Sequence, residues 1–133
     1  MTIRVVRDQQ APMRHEIHIG RNSLTTDLGI EQGGEGSGPS PHDLYDAALG
    51  ACKALTVLWY AKHKDIPVKG IEVSVERDAS QERAGIYRLS AALSLTGDLS
   101  AAQREELLRV AQKCPIHKLM TEVTTEISTT LSH

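Results

Sequence analysis

Two cysteines are the residues of this chain best suited to covalent chemistry. Cys52 lies in an apolar-rich stretch, and Cys114 directly precedes Pro115. When an oxidant converts one thiol to a sulfenic acid, a second thiol can trap that product as a disulfide. On residue type and spacing alone, however, two unreactive core cysteines are the simpler interpretation, because buried cysteine commonly behaves as a small apolar residue.

The two positions differ in the charges that the sequence offers them. Cys114 is expected at the C-terminal end of a helix, where the dipole disfavours a thiolate, so it is a poor candidate for the attacking sulfur. Cys52 is expected in the middle of a helix and needs a cation brought close by the fold. Arg21, Lys53 or His117 could supply that cation.

A zinc site is the alternative use of the same side chains. His42, Cys52, Cys114 and His117 are all residue types that bind zinc, but only Cys114 and His117 come at a short spacing. We therefore expect no metal. The glycine-rich segment 33–39 is no phosphate loop, since no strand directly feeds it and no Gly-Lys-Ser/Thr ends it. No cofactor is expected either.

Alternation of apolar and polar residues predicts six strands, at residues 3–5, 13–19, 24–28, 71–76, 87–95 and 123–131. Two helices are predicted between them. Ser40 and Pro41 begin the first, which runs to about His63, and Ser100 with Gln103 begins the second in a capping box, ending near Pro115. The predicted order is βββαββαβ, a single α+β domain over residues 1–133.

The first predicted helix is apolar almost all round, which is typical of a buried helix. A chain of this length can cover only one of its sides with strands. Small residues on it, such as Ala48, Gly50 and Ala51, permit another element to approach closely. An uncovered apolar face of this size favours a protein partner, so we expect a homodimer.

Composition excludes several other classes of protein. The 133 residues are 40% hydrophobic and 24% charged with a formal net charge of -2, so neither nucleic acid nor an anionic membrane is an expected partner. The N-terminus lacks the apolar core of a signal peptide. The longest apolar-rich stretch, about 15 residues, is too short to span a bilayer. We expect a cytoplasmic protein, in which a disulfide would be transient and catalytic.

Three stretches together resemble the OsmC/Ohr family, the osmotically inducible and organic hydroperoxide resistance proteins. They are Gly20-Arg21, the run from Gly38 through Pro-Ser-Pro-His-Asp-Leu-Tyr-Asp-Ala-Ala-Leu-Gly-Ala to Cys52, and Cys114-Pro-Ile-His-Lys. The resemblance covers nearly the whole chain and agrees with the predicted element order. It implies an OsmC-like fold with a long central helix wrapped by antiparallel strands, in an intertwined homodimer with active sites at the interface.

The resemblance also implies residue roles. Cys52 matches the thiol that attacks a peroxide, Cys114 matches the thiol that resolves its sulfenic acid, and Arg21 matches the arginine that stabilises the thiolate. A guanidinium suits this role because it cannot lose its proton. Asp43 is expected to orient Arg21. Here this chain departs from many peroxidatic members, whose acid occupies the preceding position, held by His42.

The implied reaction is reduction of organic, and less efficiently inorganic, hydroperoxides, with a lipoyl-type or thioredoxin-like dithiol as reductant. The expected pocket residues are His42, Tyr45 and His117. Each position also has a plainer interpretation. Asp43 could be only a carboxylate favoured at a helix start, Tyr45 a core residue, and His117 a cap on the preceding helix. Lys53 could extend its amine to solvent. The alternative function is a non-enzymatic module that binds a small hydrophobic ligand.

Overall fold

The computed structural model describes residues 1–133, and it has the predicted mixed α+β architecture with antiparallel sheets. The chain forms two compact units, Met1–Ala47 and Ala48–His133. Five strands and three helices follow in the order βββαββαα. The first seven of these elements match the predicted order, and the last part of the chain does not. The single-domain organisation stays a prediction.

The first unit contains a three-stranded antiparallel sheet of order β1-β2-β3, formed by β1 (Ile3–Arg7), β2 (His15–Ile19) and β3 (Asn22–Thr26). Ile19 pairs with Asn22, so Gly20 and Arg21 alone make the turn between β2 and β3. Gly20 has a φ of 59°, a conformation that glycine adopts without steric cost. The turn therefore fixes the position of Arg21 at the end of a hairpin.

The glycine-rich loop of the first unit is held by one buried carboxylate. Asp27 accepts hydrogen bonds from the backbone N–H groups of Leu28 (2.8 Å), Glu35 (3.2 Å) and Ser37 (3.0 Å), and from the Ser37 hydroxyl at 2.6 Å. A Cβ at Gly34 would lie 2.1 Å from the Leu28 carbonyl oxygen. This close approach explains why glycine occupies that position.

The long helix α1 (Pro41–His63) begins where the sequence predicts. The Ser40 hydroxyl accepts from the Asp43 N–H at 3.1 Å, and the Asp43 carboxylate accepts from the Ser40 N–H at 3.0 Å. This reciprocal pair satisfies two backbone donors that a helix start otherwise leaves free. Asp43 thus has the helix-start role that the sequence left open as an alternative.

The second unit packs α1 against a two-stranded antiparallel sheet, β4 (Val68–Asp78) and β5 (Arg88–Gly97). Its core cluster is formed by five buried residues: Val57, Ala61, Ile66, Leu107 and Ala111. A Cβ at Gly50 would lie 3.0 Å from Cγ2 of Val75, so the helix packs closely against the sheet at this glycine. The expectation that small residues on α1 permit close packing is met at Gly50.

Only one side of α1 is buried, although its sequence is apolar almost all round. Leu49, Lys53, Val57 and Ala61 recur every fourth residue and lie inside. The opposite side exposes Leu55 (67%) and Trp59 (61%). The expectation that strands of one chain cover one side of the helix is therefore met in the second unit.

Helix α2 (Ala101–Ala111) carries the predicted capping box, because the side chains of Ser100 and Gln103 each accept from the other's backbone N–H. The predicted helix end near Pro115 was wrong. Helix α2 ends at Ala111, and Pro115 begins a third helix, α3 (Pro115–Thr121). Proline lacks an N–H, and the first helical position needs none, so Pro115 favours a helix start as much as a helix end.

The strand predicted at residues 123–131 is absent. This segment has no regular secondary structure, and Val123, Ile127 and Leu131 are 51%, 82% and 91% exposed. Alternating residues form a strand only where a neighbouring strand offers backbone hydrogen bonds, and that condition is not met here. No helix in the structure has both the length and the hydrophobicity needed to cross a membrane.

A candidate two-cysteine site

Cys52 is half-buried in the middle of α1 and faces the start of α3. The backbone N–H of Ile116 donates a hydrogen bond to the Cys52 sulfur, with an N···S distance of 3.4 Å. The Thr56 hydroxyl, one turn further along α1, lies 3.8 Å from the same sulfur. A thiolate at Cys52 would therefore have two protein groups able to donate to it.

Cys114 is completely buried and lies beside Cys52, and both cysteines are free thiols. Burial is the largest influence on the Cys114 thiol and raises its pKa. The hydrogen bond with Cys52 also raises the pKa of Cys114. Two influences oppose this increase: the His117 backbone N–H and the positive charge of Lys53 both lower the pKa. The balance favours the neutral thiol at Cys114.

The predicted location of Cys114 was wrong. The residue is the N-cap of α3, with φ −65° and ψ 151°, and does not lie at the C-terminal end of the preceding helix. The helix dipole argument against a Cys114 thiolate therefore does not apply. Burial provides a different reason for the same expectation, because removal from water disfavours the charged form.

Lys53 is buried, with 7% of its surface exposed, and does not extend to solvent as one interpretation of the sequence held. Its ammonium donates to the Ala111 carbonyl oxygen at 2.8 Å and to Nδ1 of His117 at 3.1 Å. Ala111 ends α2, so the amine binds where the carbonyl groups of that helix lack partners of their own. Lys53 thus connects α1 to the end of α2 and the start of α3.

His117 lies in the first turn of α3 and is half-buried. The interpretation of His117 as a cap on the preceding helix was wrong, because its ring instead accepts the hydrogen bond from Lys53. An ammonium can only donate, so Nδ1 is the acceptor and the ring proton lies on Nε2. His117 therefore orients Lys53, next to the two sulfurs.

A cavity of about 210 Å³ lies beside Lys53 and His117, inside the second unit. The polar groups that line the cavity include Lys53, His117 and Gln112. The rest of its lining is mainly apolar and comes from α1, α2 and both strands of the second sheet. These apolar residues include Leu49, Val73, Leu93 and Leu108. An apolar cavity lined by a few polar groups is typical of sites for small organic ligands.

The remaining predicted site residues belong to the first compact unit. Arg21 is exposed in the turn between β2 and β3. His42, Asp43 and Tyr45 lie in the first two turns of α1 with exposed side chains, and each interacts with other groups. The roles expected for these four residues stay predictions. Across the chain, no group of three or more His, Cys, Asp or Glu side chains is arranged to hold a metal ion.

Two features of the site were not predicted from the sequence: the burial of Lys53 and the Ile116 N–H directed at the Cys52 sulfur. A signal for the first was present, because Lys53 lies four residues from both Leu49 and Val57 and so shares their helix face. The second had no signal, since a backbone donor is independent of residue type.

No curated protein matches the chain. A putative osmotic stress induced and detoxification response protein from Psychrobacter arcticus has a similar structure, with a TM-score of 0.75, 22% identity, and coverage of 92% of this chain and 89% of that one.

Two proteins named for hydroperoxide resistance also share the fold. The organic hydroperoxide resistance protein OsmC of Legionella pneumophila has a TM-score of 0.64 and 23% identity, covering 92% of this chain and 90% of that one. OhrB of Bacillus subtilis has a TM-score of 0.59 and 24% identity, covering 92% of each chain. The family profile described as OsmC-like protein matches residues 34–129, well over half of the sequence, and the chain belongs to this family.

Proposed function

We propose that the protein is a thiol-dependent peroxidase that reduces organic hydroperoxides, and inorganic ones less efficiently, through Cys52 and Cys114. The observation that carries the proposal is the adjacency of the two free thiols, with a backbone N–H of Ile116 directed at the Cys52 sulfur. Family membership and the fold shared with hydroperoxide resistance proteins support a role in the oxidative stress response.

In the first step the Cys52 thiolate attacks the O–O bond of the hydroperoxide. An S–O bond forms, the O–O bond breaks, and the leaving alkoxide takes up a proton to give an alcohol and a Cys52 sulfenic acid. Because only the thiolate attacks, a positive charge at Cys52 favours this step. We assign that role to Arg21, oriented by Asp43, as the family resemblance implies.

In the second step Cys114 attacks the sulfenic acid and forms a disulfide, with release of water. A dithiol reductant, lipoyl-type or thioredoxin-like, then restores both thiols by disulfide exchange. A short separation between the two sulfurs favours this step, because the intermediate is trapped before a second oxidant molecule reaches it. We place His42, Tyr45 and His117 around the substrate.

We further propose a homodimer in the cytoplasm. Leu55 and Trp59 expose large apolar side chains on the uncovered face of α1 in the second unit, next to the small residues Ala48 and Ala51. A second copy of this chain is the simplest cover for such a face. The exposed segment 122–133, with its alternating pattern, could then pair with a strand of the partner.

The decisive experiment measures free thiols after addition of one equivalent of an organic hydroperoxide such as cumene hydroperoxide. Wild type is expected to lose both thiols within one turnover. Cys52→Ser should lose none, and Cys114→Ser should consume one equivalent and then stop, with a sulfenic acid that dimedone labels. Retention of both thiols in wild type would refute the proposed activity.

A second candidate function is supported by the cavity of about 210 Å³ beside Lys53 and His117, which suits a small hydrophobic ligand. In this case the protein binds without turnover. A ligand of this kind should raise the melting temperature equally in wild type and in Cys52→Ala, because binding to the folded state alone stabilises it. A thermal shift that disappears in Cys52→Ala contradicts this candidate.

A further inference from the structure

Lys53 carries a buried positive charge that the two steps above do not use. Its side chain has two hydrogen-bond acceptors, the Ala111 carbonyl and the His117 ring, and both are neutral. Neither of these acceptors is a carboxylate. A buried ammonium without a carboxylate partner is costly, so this position calls for an explanation beyond packing.

The Lys53 ammonium is held by Ala111 and His117, three residues before and three residues after Cys114, so its charge acts on the Cys114 sulfur. The titratable groups that act on Cys114 are Cys52 and Lys53, both from α1, and His117 of α3 donates its backbone N–H to the Cys114 sulfur. The Cys52 thiol raises the pKa of Cys114, whereas Lys53 lowers it and opposes the larger effect of burial. The Lys53 ammonium donates to Nδ1 of His117, and the positive charge that acts on the Cys114 sulfur is that of Lys53.

We propose that Lys53 is a positioning residue for the second step: its ammonium, held by Ala111 and His117, stabilises the Cys114 thiolate that attacks the Cys52 sulfenic acid. This inference rests on the proposed function. The S–S bond forms and the S–O bond breaks, and the hydroxide that leaves takes a proton from solvent. The proton lost earlier by the Cys114 thiol also goes to solvent, so the net products are a disulfide and water.

The proposal gives each thiol its own cation. Arg21 is assigned to Cys52, and Lys53 to Cys114. A separate cation is needed because Cys114 is completely buried, so solvent contributes little to stabilising its thiolate. Burial favours the neutral thiol at Cys114 even with Lys53 present, so loss of Lys53 would lower the thiolate fraction further and leave the sulfenic acid exposed to further oxidation for longer.

The first test requires no peroxide. Alkylation of Cys114 by iodoacetamide is followed against pH in a Cys52→Ser background, with Lys53 present, changed to Met, or changed to Arg. Lys53→Met should move the midpoint upward by about one pH unit, which is a tenfold loss of thiolate near neutral pH. Lys53→Arg should keep the alkylation midpoint close to that of the protein with Lys53, because arginine keeps the positive charge.

Lys113→Met is the matched control, since Lys113 precedes Cys114 in sequence but is exposed. Its charge is screened by water, so the alkylation midpoint should not move. Circular dichroism verifies folding, and Lys53→Gln, which keeps a donor for the Ala111 carbonyl, replaces the methionine variant if that variant does not fold. An unchanged midpoint in the uncharged Lys53 variant overturns the proposal.

The second test separates the two steps in the chain with both cysteines. After rapid mixing with hydroperoxide, Lys53→Met should form the dimedone-reactive sulfenic acid at close to the wild-type rate, while disulfide formation slows about tenfold. Equal slowing of both steps would refute a specific role in resolution. If wild type does not react with hydroperoxide, the proposed function fails, and the alkylation profile still decides whether Lys53 controls Cys114.

Discussion

Asp27 is a buried carboxylate stabilised by hydrogen bonds alone, without a contacting cation. The hydroxyl and backbone N–H of Ser37 are the largest influences lowering its pKa to about 2, with further backbone donors at Leu28 and Glu35. These donors bind the ionised form, so the loop between β3 and α1 depends on the charge of one side chain. The hydrogen-bond network makes the stability of this loop sensitive to acid.

The Asp27 carboxylate therefore predicts a pH dependence of stability. Its pKa is lowered from 3.8 to about 2 in the folded state, so its contribution is complete above pH 3.8 and is lost as the pH falls towards 2. Asp27→Asn should lower the melting temperature at pH 7 and flatten its pH dependence in that range. Melting curves of both proteins between pH 2 and pH 7 test this, and parallel curves would contradict it.

At the candidate site, the sequence predicted which residues come together better than it predicted where each one lies in its helix. Cys52, Cys114 and His117 were all named from the sequence, and the structure places them together. The burial of Lys53 was missed, because a lysine in an apolar helix normally extends its amine to water. Its amine stays inside since the last turn of another helix offers a carbonyl at Ala111.

At the scale of elements, both ends of α1 and the start of α2 were predicted, whereas the end of α2 and the start of α3 were not. The starts at Ser40 and Ser100 depend on side chains within three residues, and both caps are present. The end of α2 does not have such a local marker. Pro115 was taken as a terminator and instead begins α3, because the chain turns at residues 112–114 and starts a new helix.

The capping box of α2 leads to a prediction for stability. Ser100→Ala removes the acceptor for the Gln103 N–H and should destabilise the protein by about 1 kcal/mol. Gln103→Ala, which removes the other half of the box, should have a smaller effect. Urea unfolding at pH 7 measures both variants. Equal stability of Ser100→Ala and wild type would show that this helix start does not depend on its cap.

For the whole molecule, the main feature is the apolar face of α1 that no other part of the chain covers in the second unit. Leu55 and Trp59 are more than half exposed, and Ile127 and Leu131 in the last segment are almost fully exposed. Scattered apolar residues are normal on a surface, but a row on one helix face marks an interaction site. The proposed homodimer accounts for the α1 face and for the last segment together.

Disruption of this face tests the dimer. Leu55→Glu would place a carboxylate in the proposed interface and should weaken dimerisation at least tenfold, which corresponds to about 1.4 kcal/mol. Sedimentation velocity at micromolar concentrations measures the change. Ala102→Glu, at an exposed position in the first turn of α2, is the control and should remain dimeric. A monomeric wild type, or a Leu55→Glu variant as dimeric as wild type, would refute the proposed interface.

Five strands and the starts of α1 and α2 could be predicted from the sequence alone, because periodicity and caps act over a few neighbouring positions. Tertiary structure decided that Cys114 begins a helix, that Lys53 is buried, and that the last segment has no strand. These outcomes depend on which groups from distant segments come within hydrogen-bonding range. A carbonyl at Ala111 and a backbone N–H at Ile116 have no signature in residue type, and only packing brings them to α1.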